Sequence, residues 1–205
     1  MSDRYQAILL FGAPGAGKGT QGELLGNIPG FFHISTGDMF RTLDRHSELG
    51  KVFDSYSSRG ELVPDEVTVD LWREYTKALT TLSKFKPRSD LLALDGIPRT
   101  VAQTEIIKQY VDVRGIVHLV APSTEEMVAR LQKRAMEQKR VDDAKIEVIR
   151  NRLDVYERET RPVLDQFDAS IVHEVNALGT PAEVLGGILQ VLAPIQASIS
   201  ELVAK

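Results

Sequence analysis

The chain has 205 residues, 42% hydrophobic and 26% charged, which fits one globular domain with room for a small insert. Its formal net charge of −4 leaves no basic surplus to neutralise a nucleic-acid backbone, so a nucleic-acid partner is not expected. Cysteine is absent, which excludes disulfides and thiolate zinc sites; with no apolar signal core in MSDRYQ and no long apolar run, a cytoplasmic protein without a membrane span is expected.

Ala7–Phe11 reads as a short buried strand and leads into GAPGAGKGT, residues Gly12–Thr20. Gly-x-x-x-x-Gly-Lys between a strand and a helix, here predicted around Gln21–Leu25, is a phosphate-binding loop. Its glycines let backbone N–H groups converge on phosphate oxygens, and the helix N-terminus adds a favourable dipole. Lys18 supplies a positive charge that can follow a phosphoryl group. Gly19 stands where Ser or Thr usually follows the lysine, and Thr20 comes one place later. Mg²⁺ would then be held through phosphate and water, which suits an ion that sheds its hydration shell reluctantly. The loop points to a nucleoside polyphosphate.

Phe31–Ile34 is a second strand candidate. Ser35–Pro64 is a mostly helical excursion, with Asp38 placed to cap a helix over Asp38–Arg45 that carries Arg41. A helix over Asp65–Leu82, a polar loop over Lys84–Asp90 and a strand over Leu91–Leu94 follow. Further along are a helix at Thr100–Tyr110, a strand at Gly115–Val120, helices at Thr124–Gln138 and Asp143–Phe167, a strand at Ser170–Val175 and a helix at Pro181–Leu192. The tail after Pro194 keeps a helical pattern and either packs or frays. This alternation predicts an α/β fold: a doubly wound, five-stranded parallel sheet with helices on both faces. Ligands in such sheets sit at the carboxyl ends of the strands, where the phosphate loop and Asp95-Gly96 both fall.

Phosphoryl transfer asks a protein for positioning, charge neutralisation and exclusion of water. Arginine suits the second task through its planar fork. Arg99 follows a buried strand, Arg130 and Arg134 share one helix face, and Arg140 and Arg152 flank Asp142 and Asp143, which could orient them. Asp95, closing a core strand, is the strongest candidate to hold Mg²⁺ or its waters. No residue is a certain direct metal ligand.

Four segments, GAPGAGKGTQ (Gly12–Gln21), ISTGDMFR (Ile34–Arg41), LDGIPRT (Leu94–Thr100) and RVDD followed by NRL (Arg140–Leu153), together resemble adenylate kinase, over about Ile8 to Thr180. The resemblance implies ATP + AMP ⇌ 2 ADP with Mg²⁺, adenine-nucleotide homeostasis as its role, and a monomer. It implies one nucleoside monophosphate kinase domain over 1–205, with an AMP-binding cap at 35–64 and a lid at 133–144. By position, Gly15, Ala16, Gly17, Lys18, Gly19 and Thr20 would cradle ATP phosphates, with Arg130 and Arg134 on the ATP side. The backbone at Gly179 and Thr180 would meet the ATP adenine. Thr36, Arg41, Glu61, Leu62, Val63, Gly96, Ile97, Pro98, Arg99 and Gln103 would bind AMP, and Arg140 and Arg152 would clamp phosphates. Catalytic roles would fall to Lys18, Asp95, Arg99, Arg134, Arg140 and Arg152.

Three features depart from the family pattern. Ile97 replaces an aromatic residue before Pro-Arg, which is expected to tune AMP affinity. Only Ala135–Lys139 separates Arg134 from Arg140, the short-lid form. The tail also runs past the family's usual end. Alternatives are a UMP/CMP kinase of the same fold, in which a small residue generally replaces Thr36 and Asn replaces Thr100, and a nucleotide sensor without turnover.

Overall fold

The computed structural model describes residues 4–121, 123–138 and 145–203. Among them, strands β1 (Tyr5–Gly12), β2 (Phe31–Ser35), β3 (Leu91–Asp95), β4 (Val111–Val120) and β5 (Val172–Asn176) form a five-stranded sheet in the order β2-β3-β1-β4-β5. Every pairing is parallel. The helices are α1 (Lys18–Gly26), α2 (Thr36–Arg41), α3 (Glu48–Ser57), α4 (Asp65–Thr81), α5 (Val101–Ile107), α6 (Thr124–Gln138), α7 (Ile146–Val155) and α8 (Pro181–Val203).

Successive residues of β1 point to opposite faces, so the strand feeds two cores. Ile8 and Leu10 join Leu25 of α1, Leu131 of α6, Ile149 of α7 and Ile188 of α8. Ala7, Leu9 and Phe11 join Met39 of α2, Trp72 of α4 and Ile107 of α5 on the other side. Both faces are covered, which is why the inner strands are continuous apolar runs. From β1 the chain goes out to β2 and back to β3 on one side, then crosses to β4 and β5 on the other, placing the switch point beside the carboxyl end of β1.

The observed elements differ from the predicted ones where a local rule was overridden. Strand β4 starts at Val111, not Gly115: Ala7 pairs with Val113 and Ile8 with Gly115, so exposed Arg114 forms a bulge that hides the alternation. Helix α2 is capped by Ser35, whose side chain accepts from the Asp38 N–H, while Asp38 pairs with Arg41 at 2.6 Å; Asp38 is not the cap. The long helix expected to reach Phe167 ends its α-form at Val155. It continues as a π turn over Tyr156–Thr160 and a 3₁₀ turn over Arg161–Gln166, where Pro162 has no N–H to continue an α ladder. The segment Lys84–Asp90 is not merely a polar loop. Phe85 is 1% exposed and packs against the rings of Tyr5 and Phe32.

The tail packs. Helix α8 runs through Pro194, buries Ile199, and donates from Gln196 Nε2 to the Pro29 carbonyl at 2.9 Å. Contrary to the expectation of no sufficiently long apolar segment, Pro181–Ile199 is long and apolar enough to cross a membrane by length and composition. Its large side chains Val184, Ile188 and Leu192 are buried against the sheet, and exposed positions carry Ala182, Gly186, Gln190, Ala193 and Ala197.

Candidate active site

The phosphate loop leaves β1 at Gly12, turns through an Ala16 N–H to Ala13 carbonyl bond of 3.0 Å, and enters α1 at Lys18. Gly17, at φ 95°, is the helix N-cap and supplies no side-chain cap. The first N–H groups of α1 thus keep their donors for an anion, which is how a helix N-terminus binds phosphate. Lys18 Nζ donates to the carbonyls of Gly12 at 2.6 Å and Ala13 at 3.2 Å. Burial, with the charges of Arg99, Arg152 and Arg134, lowers its pKa from 10.5 to about 8, although Asp95 pulls the other way. Four side chains from three separate segments, the end of β3 with its turn, α6 and α7, therefore act on one amine. A bound phosphate would reverse that penalty.

Strand β3 lies in register with both neighbours, Asp95 opposite Leu10 of β1 and Ser35 of β2, so its carboxylate sits at the centre of the sheet's carboxyl edge. Asp95 is 8% exposed. A Cβ on Gly19 would lie 3.7 Å from Asp95 Oδ2, so the glycine leaves open the space beside this acid that a hydroxyl side chain would enter. Among the described residues no group of three His, Cys, Asp or Glu could hold a metal ion. The open space between Gly19 and the Asp95 carboxylate would suit a hydrated Mg²⁺, an ion that usually keeps several of its waters.

Beyond Asp95, Gly96 takes φ +81° and its carbonyl is shared by Thr36 Oγ1 at 2.9 Å and Arg99 Nε at 2.9 Å. These bonds hold the Arg99 guanidinium and the start of α2 around one turn. Helix α5 begins with Thr100 as its cap, and Gln103 accepts the Arg99 N–H through Oε1 at 2.7 Å. On the far side, Arg130 of α6 donates to the Ala177 carbonyl at 3.0 Å, which ties α6 to the loop before α8. Arg152 of α7 packs beside Gly60, whose added Cβ would meet Arg152 Cγ at 2.9 Å.

One cleft of about 650 Å³ joins these groups, within the size range of small-molecule sites. On the side of the phosphate loop it is lined by Gly15, Ala16, Gly17, Lys18, Gly19 and Thr20, with Arg130, Arg134 and Gly179. On the side of α2 and the turn after β3 it is lined by Thr36, Arg41, Glu61, Leu62 and Val63, with Gly96, Pro98, Arg99 and Gln103. Asp95 and Arg152 lie between. Two expected residues are not brought to it. Ile97 is 1% exposed and packs in the core with Met39 and Trp72, so its side chain turns away from the cleft. Thr180 spends its N–H and hydroxyl on Glu183 Oε2, at 2.7 and 2.9 Å, as the cap of α8. Arg140, with Asp142 and Asp143, lies outside the described residues.

Three residues of the site were missed. Gln21 is 3% exposed, lines the cleft and donates to the Pro181 carbonyl at 3.0 Å. Tyr156 lines the cleft and meets His118 Nε2 at 3.1 Å. Asp65 bonds both Thr100 and Gln103. In sequence Tyr156 and Asp65 look like ordinary helix surface, and Gln21, although it closes the GAPGAGKGTQ segment, was given no role of its own.

A protein-family model described as adenylate kinase matches residues 10–172. The chain belongs to the adenylate kinase family. It is 37% identical to an adenylate kinase of Parabacteroides distasonis, over 88% of this chain and 94% of that protein. It is 39% identical to one of Kocuria rhizophila over 90% and 97%, and 38% identical to one of Phocaeicola vulgatus over 89% and 95%. The activity is that of a phosphotransferase acting on nucleoside monophosphates, the reversible reaction ATP + AMP ⇌ 2 ADP with Mg²⁺.

Proposed function

We propose that ATP lies with its phosphates over Gly15–Thr20 and its adenine toward Arg130 and Gly179, and that AMP lies between α2 and the turn Gly96–Arg99. The observation that carries this is the convergence of Arg99, Arg134 and Arg152 on Lys18 in a single cleft. Three arginines and a lysine facing one cleft set up a positive potential that favours a polyanion there. Lys18 follows the transferred phosphoryl group. Arg99, Arg134 and Arg152 neutralise the oxygens on which charge builds, and Arg140 joins them. Asp95 would hold Mg²⁺ through its waters, and the ion would supply further neutralisation of phosphate charge.

Residues 35–64 act as the AMP cap and 133–144 as the short lid, closing over the cleft so that water does not intercept the phosphoryl group. Support comes from α7, which already touches the cap: Asn151 Nδ2 donates to the Arg59 carbonyl at 2.7 Å. The protein works as a cytoplasmic monomer without nucleic-acid or membrane partners, as its net charge of −4 and lack of cysteine favour. Steady-state ADP formation with AMP, CMP and UMP as acceptors tests the acceptor site. AMP should have the highest kcat/KM, and a pyrimidine preference would refute the assignment of Thr36 and Gln103. Arg99→Ala should lower kcat by orders of magnitude, and near-normal turnover would refute its role.

A further inference from the structure

At the acceptor end of the cleft, Gln103 is 1% exposed and almost fully engaged. Its Oε1 accepts from the Arg99 N–H at 2.7 Å, and its Nε2 donates to Asp65 Oδ1 at 2.8 Å. The other oxygen of Asp65 accepts from Thr100 Oγ1 at 2.9 Å, and that hydroxyl in turn accepts from the Gln103 N–H at 3.0 Å. A backbone N–H can only donate and a carboxylate can only accept, so the two partners agree on which end of the amide is oxygen. Flipping the amide would set NH₂ against N–H and oxygen against carboxylate, losing both bonds.

We propose that Asp65 is a specificity-positioning residue that locks the Gln103 amide in the one orientation able to read a 6-aminopurine and reject a 6-oxopurine. After its internal bonds, the amide has one N–H and one lone pair left for a ligand. Adenine offers the matching set, an N6–H donor beside the N1 acceptor. Hypoxanthine and guanine offer the reverse, an O6 acceptor beside an N1–H donor. A buried amide that cannot turn leaves such a base with donor facing donor, a mismatch that binding sites reject strongly. Without Asp65, only the Arg99 N–H opposes the flip. This inference rests on the reading that Gln103 meets the acceptor base.

The test is steady-state kinetics of the full chain with AMP and with inosine monophosphate as acceptors at saturating ATP. The variants are Asp65→Ala, Asp65→Asn, Gln103→Ala and the Asp65→Ala/Gln103→Ala double variant. Asp65→Ala should raise KM for AMP about tenfold, leave KM for ATP within about twofold, and lower the AMP-to-inosine-monophosphate kcat/KM ratio at least tenfold. Asp65→Asn, whose side-chain oxygen can still accept from Nε2, should recover most of that ratio. In the Gln103→Ala background, Asp65→Ala should change the ratio no further, because it acts through the amide. A ratio unmoved by Asp65→Ala but collapsed by Gln103→Ala overturns the proposal while leaving Gln103 as the base reader. An AMP KM unmoved by Gln103→Ala overturns the underlying reading and the proposal with it. A purely structural tether would lower Tm without moving the ratio, which also overturns it. If Asp65→Ala does not fold, Asp65→Ser, too short to reach Gln103, is read in the same way.

Discussion

Gly96→Ala perturbs the turn on which both Thr36 and Arg99 depend. The backbone there has φ +81°, and an added Cβ would lie 2.6 Å from Thr36 Oγ1 and 2.8 Å from an Arg99 guanidinium nitrogen. Holding an alanine in the left-handed region costs about 1–2 kcal/mol. Displacing the Thr36 hydroxyl from the Gly96 carbonyl, a bond of 2.9 Å, forfeits about 1 kcal/mol more. A loss of about 2–3 kcal/mol should lower Tm by roughly 5–10 °C for a domain of this size. Arg99 can swing away, because its end is flexible, but its Nε bond to the same carbonyl then fails. A guanidinium displaced by about 1 Å should cost kcat on the order of a hundredfold. Calorimetric or dichroism melting and coupled ADP-formation assays check the two halves separately. Unchanged Tm together with unchanged kcat would refute the reasoning, since both follow from one steric collision.

Lys18→Met removes the amine that Gly12 and Ala13 hold at the loop and should lower kcat by about 10²–10³-fold with the fold intact; a folded variant with near-normal turnover contradicts the role given to Lys18. Because its pKa is lowered to about 8 and phosphate would raise it again, ATP binding at about pH 9 should take up a proton, and binding at about pH 6.5 should take up none through this group. Calorimetry in two buffers of different ionisation heat measures this, and uptake that survives Lys18→Met would assign it elsewhere. The same sign makes the unliganded protein gain stability as pH rises from about 8 toward 10.5, where the unfolded chain holds the proton and the folded one does not. Ile199→Ala, at a position 7% exposed in the core against the sheet, should cost about 2–4 kcal/mol in urea unfolding while kcat stays unchanged; no loss would mean that the end of α8 contributes nothing.

What the sequence determined by itself is local. The spacing of Gly12, Gly17 and Lys18 after an apolar strand, Asp95 at the end of another, and the alternation of strands and helices all act over a few residues, so they can be read before folding. What only the tertiary structure decided depends on partners far apart in the chain. Asp65 meets Gln103 across 38 positions, Gln21 meets Pro181 across 160, and Gln196 meets Pro29 across 167. Phe85 is core because Tyr5 and Phe32 arrive beside it, and Ile97 faces the core because the turn at Gly96 aims it there. Periodicity reports which residue types recur, whereas the direction of a side chain and the hydrogen-bond state of an amide are settled by what packs against them. The phosphate loop was therefore legible at once, and the device that orients the acceptor site was not.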